Sequence, residues 1–177
     1  QYRLLSEFVS KPISFVPNSL NCQLSGTIYP GLVYFLSLDG QNYSEIDLNV
    51  PVPIPGTSLV TLPAVTLNQT GLLNTPIDPS YYSSTLQVID NTTQLAVPVI
   101  YNLLPTDSTI SKLSNSYISK VGNLLYYLPY ETSDSTKTFT VSYIKGPLSV
   151  SAQLKVLMST DDKNLSPIFN GVALIAA

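Results

Sequence analysis

The stretch Leu148-Ser-Val-Ser-Ala-Gln-Leu-Lys-Val156 alternates apolar and polar residues without a break. In an extended chain, successive side chains point to opposite faces. Leu148, Val150, Ala152, Leu154 and Val156 therefore share one face, and Ser149, Ser151, Gln153 and Lys155 share the other. A strand with one dry and one wet face belongs to an antiparallel sheet covered on one side. Just upstream, Thr138-Phe-Thr-Val-Ser-Tyr143 repeats the pattern, with Phe139, Val141 and Tyr143 inward. Lys145-Gly146-Pro147 lies between the two and reads as a turn, so a hairpin is expected.

Working outward, the same period recurs. Thr85 to Asp90 and Gln94 to Tyr101 flank a turn at Asn91-Thr92-Thr93, with Leu95, Val97, Val99 and Tyr101 expected inward. Pro98 falls on the opposite phase and suggests an edge or a bulge. Leu32 to Leu38 and Tyr43 to Val50 flank Asp39-Gly40, a third hairpin. Leu20 to Tyr29, Ser58 to Leu67, Asn123 to Tyr130 and Ile168 to Ala177 supply further strands. That number and spacing predict an all-β chain, an antiparallel β-sandwich of immunoglobulin-like or jelly-roll-like type. Thr109 to Val121 is the exception. Ile110, Leu113, Tyr117, Ile118 and Val121 trace a helical stripe that Asp107 or Ser108 could cap. Pro51, Pro53 and Pro55 remove every N–H from one side of their segment, which predicts an edge strand or an extended connector.

Composition narrows the function. The 177 residues carry only 11% charged residues, a net charge of −3 and no histidine. Clustered cations for nucleic acid are absent, and so is the imidazole that a Ser-His-Asp triad or a His-ligated metal requires. One cysteine, Cys22, excludes an intrachain disulfide and reads as a small buried hydrophobe. No nucleophile elbow and no phosphate-cradling loop occurs. No cofactor, metal or catalytic residue is expected, although Glu7, Glu45, Glu131, Asp161 and Asp162 leave a glycosidase-type carboxylate pair formally open. Tyr81-Tyr82 and Tyr126-Tyr127 could stack on sugars, but neighbouring strand positions send one tyrosine of each pair to the core.

The first residue is Gln1 rather than Met, and with this composition we expect a secreted chain whose signal peptide has been removed. Four sequons, Asn42-Tyr-Ser, Asn68-Gln-Thr, Asn91-Thr-Thr and Asn164-Leu-Ser, all fall at expected turns. Few carboxylates and no histidine predict a stability that changes little from neutral to strongly acidic pH.

Gln1 to Lys11 also alternates, with Tyr2, Leu4 and Phe8 on one side. Past Pro12 the apolar phase switches, and Ile13 and Phe15 carry it. Residues 1–17 thus read as a tail strand apart from a head over 18–177. Such a strand pairs within its own domain, or it inserts into a neighbouring molecule as a donor strand. A head-to-tail contact of the second kind propagates into a filament.

A secreted chain with an alternating N-terminal strand, a Ser/Thr/Asn/Tyr-rich sandwich and turn sequons resembles the thread filament subunits of thermoacidophilic archaea. The resemblance implies an extracellular polymer of identical subunits, heavily glycosylated, in which each head receives its neighbour's tail. It implies donor-strand residues at Tyr2, Leu4 and Phe8, continued by Ile13 and Phe15, and N-linked glycans on Asn42, Asn68, Asn91 and Asn164. An S-layer module, a jelly-roll viral coat subunit and a carbohydrate-binding adhesive module are the alternatives.

Overall fold

The computed structural model describes residues 6–158 and 172–177. Within them the chain is all-β, with three short 3₁₀ turns and no α-helix. The first strands are β1 (Ser6–Val9), β2 (Ile13–Phe15), β3 (Asn21–Ser25), β4 (Leu32–Ser37) and β5 (Tyr43–Ile46). There follow β6 (Val52–Pro53), β7 (Ser58–Thr66), β8 (Gln87–Asp90), β9 (Leu95–Ala96) and β10 (Val99–Tyr101). The last are β11 (Tyr117–Val121), β12 (Leu124–Leu128), β13 (Thr138–Lys145), β14 (Val150–Met158) and β15 (Ala173–Ala176).

The strands divide between two compact units: residues 1–57 with 146–177, and residues 58–145. The expected division, a tail over 1–17 and one head over 18–177, is not the one the contacts follow. The second unit is an insertion whose two ends meet, because Ser58 lies opposite Lys145 in the β7–β13 ladder. This also corrects the expected hairpin between Thr138–Tyr143 and Leu148–Val156. Both edges of β13 are taken by β7 and β8, and β14 pairs with β1, β2 and β4. Lys145-Gly146-Pro147 is where the chain passes from one unit to the other. A glycine-proline signal marks a break in a strand, and a reversal is only one way to use it.

In the first unit, one sheet runs β1-β14-β4-β5, with β2 extending β1 along β14, and a second runs β15-β3-β6. Their facing sides form the core. Cys22 and Leu24 of β3 pack with Tyr34 and Leu36 of β4 and with Val150, Ala152, Leu154 and Val156 of β14. The inward face expected for β14 is therefore buried, except at Leu148, which precedes the strand and is 69% exposed. Cys22 is buried and forms no disulfide, in keeping with its reading as a small buried hydrophobe. The proline-spaced segment behaves as its missing donors require. Val52 sits opposite Cys22, Ile54 donates its N–H to the Leu20 carbonyl at 2.9 Å, and β6 ends the sheet.

The second unit is also two facing sheets, β7-β13-β8-β9 and β10-β11-β12. Val65, Val88, Phe139, Val141 and Tyr143 from the first meet Ile118, Leu125 and Tyr127 from the second. Phe139, Val141 and Tyr143 thus face inward as their alternation predicts. Thr85–Tyr101 is a hairpin only as far as Ala96. Pro98 ends it, and β10 leaves to lie parallel to β11. Leu95, paired opposite Asp90, and Tyr101 are exposed, not inward. The helical stripe over Thr109–Val121 is corrected as well. Asp107 does cap a turn, accepting the Thr109 N–H at 2.9 Å, but this is a 3₁₀ turn over Ser108–Lys112. The Ser114-Asn115-Ser116 run stops it, and Tyr117–Val121 pairs with β12 as a strand. The Ser119 hydroxyl, fully buried, donates to the Leu103 carbonyl at 2.7 Å and accepts the Leu103 N–H at 3.1 Å.

Candidate functional site

The outer edge of β14 carries the N-terminal strand. Phe8 lies opposite Val156 and Val9 opposite Lys155. Further along, Ile13 lies opposite Ala152 and Phe15 opposite Val150. Between Val9 and Ile13 the N-terminal strand has one residue more than β14. That extra residue is a β-bulge at Ser10-Lys11-Pro12. It explains the phase switch: without it, Ile13 and Phe15 would point to solvent. With it, Phe8, Ile13 and Phe15 all stand on the side of β14 that faces the core. Tyr2 and Leu4 lie outside the described residues.

Ser10 holds the bulge. Its N–H donates to the Leu154 carbonyl at 2.8 Å, and its hydroxyl accepts the Leu154 N–H at 2.9 Å. The Gln153 side chain donates to the Ser10 carbonyl at 2.8 Å. Pro12, two residues on, has no N–H to give, so the ladder cannot continue regularly there. A serine two residues before that proline is the signal that could have found the clasp.

The strand covers an apolar cleft without filling it. A cavity of ≈ 250 Å³ remains between Ile13 and the core residues Leu24, Leu36, Leu154 and Leu174. A second, of ≈ 200 Å³, lies between Ile13, Phe15, Cys22 and Ile54. Ile13 stays 45% exposed at the mouth of both. Val16-Pro17-Asn18 then leads from β2 to β3, with Val16 exposed and Pro17 buried. No family model, curated protein or solved structure matches the chain.

The sequons sit on turns of differing kinds. Asn42 is exposed beyond the β4–β5 turn, and its Nδ2 donates to the Asp39 carboxylate at 2.8 Å. Asn68 closes a tight turn to Leu72, and Gly71 in that turn adopts φ +81° where a β-carbon would come within 2.9 Å of Tyr130. Asn91 follows β8 and bonds across to β7 and β13. Asn164 lies outside the described residues. Of the tyrosine pairs, Tyr82 and Tyr127 are buried and their neighbours Tyr81 and Tyr126 are half-buried. Substituting Tyr82 or Tyr127 would therefore test the core and not a sugar platform.

Electrostatics concentrate in turns. Asp39 accepts the N–H groups of Asn42 and Gln41, together with the Asn42 amide and the Ser37 hydroxyl, and its carboxyl falls far below the usual range. Asp78, bonded by Ser80 and Lys145, and Asp107, bonded by Thr109, are lowered too. Asp90 is pushed up by burial, but the Lys137 ammonium at 2.7 Å and the Thr92 N–H outweigh this and hold it low. Burial raises Cys22, Tyr34 and Tyr82. The signs bound a plateau. Lowered carboxyls stabilise the fold above the unfolded value of about 4, and that contribution is lost as pH falls towards the folded values. Raised thiol and phenol groups favour the fold until the unfolded chain ionises, from roughly pH 8.5 upward. Thermal melts are expected to be flat from about pH 5 to 8 and to decline from about pH 4 downward, so the lowered carboxyls of Asp39, Asp78, Asp90 and Asp107 correct the composition-based expectation of a stability little changed into strong acid. A melting temperature already falling between pH 7 and 5 would contradict this, since no histidine titrates there.

Proposed function

We infer that this chain is the structural subunit of an extracellular filament, joined to its neighbours by exchange of the N-terminal strand. One observation carries the reading. Residues 6–15 form an edge strand whose ladder among the described residues is with β14, and Phe15 packs on the Cys22 and Leu36 cluster over an apolar cleft that the strand caps. The same strand from a second copy could make every one of these contacts, so closed and exchanged forms are close in energy and concentration selects between them. The connector favours exchange. Pro17 fixes φ near −65° and keeps Val16 extended, so straightening Val16-Pro17-Asn18 loses little entropy. Removing the strand would uncover a run of unpaired β14 backbone groups together with Leu36, Ala152 and Leu154, and such an edge recruits another strand. Where each subunit gives its strand to one neighbour and takes one from another, the contact is head-to-tail, and a rotation that does not close builds a fibre. Surface sequons suit such a polymer outside the cell.

Deletion of residues 1–15 tests this. The truncated chain should fail to polymerise, and a free peptide of residues 1–15 should bind it and raise the melting temperature of the first unit. Fibres formed by the truncated chain as readily as by the full one would sink the proposal. Electron microscopy of native material separates a thin fibre from a lattice or a closed shell.

A further inference from the structure

Three sequons lie among the described residues, and they differ in one countable property. N-glycosylation replaces one of the two hydrogens on asparagine Nδ2, so the modified side chain keeps a single N–H donor. At Asn91 both hydrogens are in use: Nδ2 donates to the Pro63 carbonyl at 2.9 Å and to the Thr138 hydroxyl at 3.0 Å. At Asn42 one is in use, given to Asp39 at 2.8 Å. At Asn68 neither is given to any group among the described residues. Its Oδ1 instead accepts the Thr70 N–H at 2.9 Å, the Thr70 hydroxyl at 2.7 Å and the Leu72 N–H at 3.0 Å.

The sequon hydroxyls differ as well. Thr70, the third residue of its sequon, donates to the amide oxygen of its own asparagine. In the other Asn-x-Thr sequon, the Thr93 hydroxyl oxygen accepts the Leu95 N–H at 3.3 Å, and the hydroxyl on Asn91 Oδ1 is that of Thr140, at 2.7 Å. Asn91 therefore ties β8 to β7 and β13 with three bonds, using its amide completely.

We propose that, of the three described sequons, Asn68 is the principal N-glycan site and that Asn91, despite its sequon, is a structural clasp that stays unmodified. The proposal rests on the extracellular reading above and adds which turn bears the sugar. In the transfer, Asn68 Nδ2 attacks the anomeric carbon of an oligosaccharide activated as a phosphate ester. The Nδ2–C1 bond forms as the C1–O bond to phosphate breaks. The phosphate leaves with the bonding pair and takes up the proton that Nδ2 loses. The three donors on Oδ1 fix the side-chain amide in the turn and leave Nδ2 unengaged among the described residues. Asn42 keeps one hydrogen for Asp39 after modification and ranks second.

Peptide mass spectrometry of the full chain, secreted from a host whose transferase recognises Asn-x-Ser/Thr, reads the outcome. Asn68 should be modified on most molecules and Asn91 on at least tenfold fewer. Equal occupancy at Asn91, or an unmodified Asn68, overturns the proposal. A second measurement uses unmodified chain from a bacterial cytosol. Asn68→Asp keeps the acceptor oxygen and should leave the melting temperature unchanged. Asn91→Asp deletes both donated bonds and should lower it by about 4 °C or more; no change there overturns the clasp. Occupancy is read on single chains, so a protein that never polymerises still decides this question. Fibres with bare Asn68 overturn it and leave the filament reading standing.

Discussion

Phe139→Ala is expected to destabilise the second unit by about 3–5 kcal/mol and to leave the first unit's melting transition in place. Phe139 is fully buried on β13, with its ring 5.1 Å from that of Tyr127. Val65, Val88, Leu125 and Tyr127 belong to the same cluster, and all of that cluster lies within residues 58–145. Truncation removes the ring's transfer energy and leaves a cavity that two sheets, each fixed by its own ladder, cannot collapse to fill. For a unit of this size the loss amounts to a shift of more than about 10 °C. The partition between units is the stronger claim. Ser58 and Lys145 pair directly, so the insertion begins and ends at one place and its chain ends need no outside support. Residues 58–145 expressed alone should fold and melt where the second unit melts in the full chain. Calorimetry of Phe139→Ala decides: one transition moves and the other stays. Equal displacement of all melting would show a single cooperative block and would refute the division.

How far the sequence could be read depended on whether the deciding signal was local. Alternation is local, so the inward faces of β13 and β14 were legible residue by residue, and so was the missing-donor edge at Pro51, Pro53 and Pro55. Pairing is not local. Lys145-Gly146-Pro147 carries the composition of a turn, and nothing in the sequence distinguishes a reversal from a passage between two sandwiches. Thr109–Val121 failed for a related reason. Five apolar residues at helical spacing also fit a capped 3₁₀ turn followed by a strand, and the partner strand β12 settled it. The phase switch at Pro12 was visible, but its meaning required β14. One extra residue at Ser10–Pro12 brings Phe8 and Ile13 back to the same face. The sequons were legible as motifs at turns. That Asn91 uses its amide fully, and Asn68 does not, depends on Pro63, Thr138 and Thr140, which lie far off along the chain.

Lys137→Met should lower the second unit's stability by about 2 kcal/mol at pH 7, the loss coming from the charge left behind. Asp90 is buried, its side chain 6% exposed, and its carboxylate receives the Lys137 ammonium at 2.7 Å. Removing a partner from a buried pair commonly destabilises by 3–5 kcal/mol, but Lys137 retains 23% exposure and water screens part of the field, so about 2 is expected. Among its described contacts Asp90 would then keep the Thr92 N–H at 2.8 Å as its nearest compensation. Two further results separate this cause from loss of the cation–π contact of the Lys137 ammonium, 5.9 Å from the Tyr127 ring centroid. Asp90→Asn combined with Lys137→Met should recover most of the loss, because the neutral amide has little charge to strand. The gap between wild type and Lys137→Met should also close as pH falls below about 4. There the wild-type pair loses its stabilisation, while the stranded carboxylate of the variant is relieved by taking up a proton. A gap that persists unchanged at pH 3 would assign the effect to the contact with the Tyr127 ring and reject the ion pair as its origin.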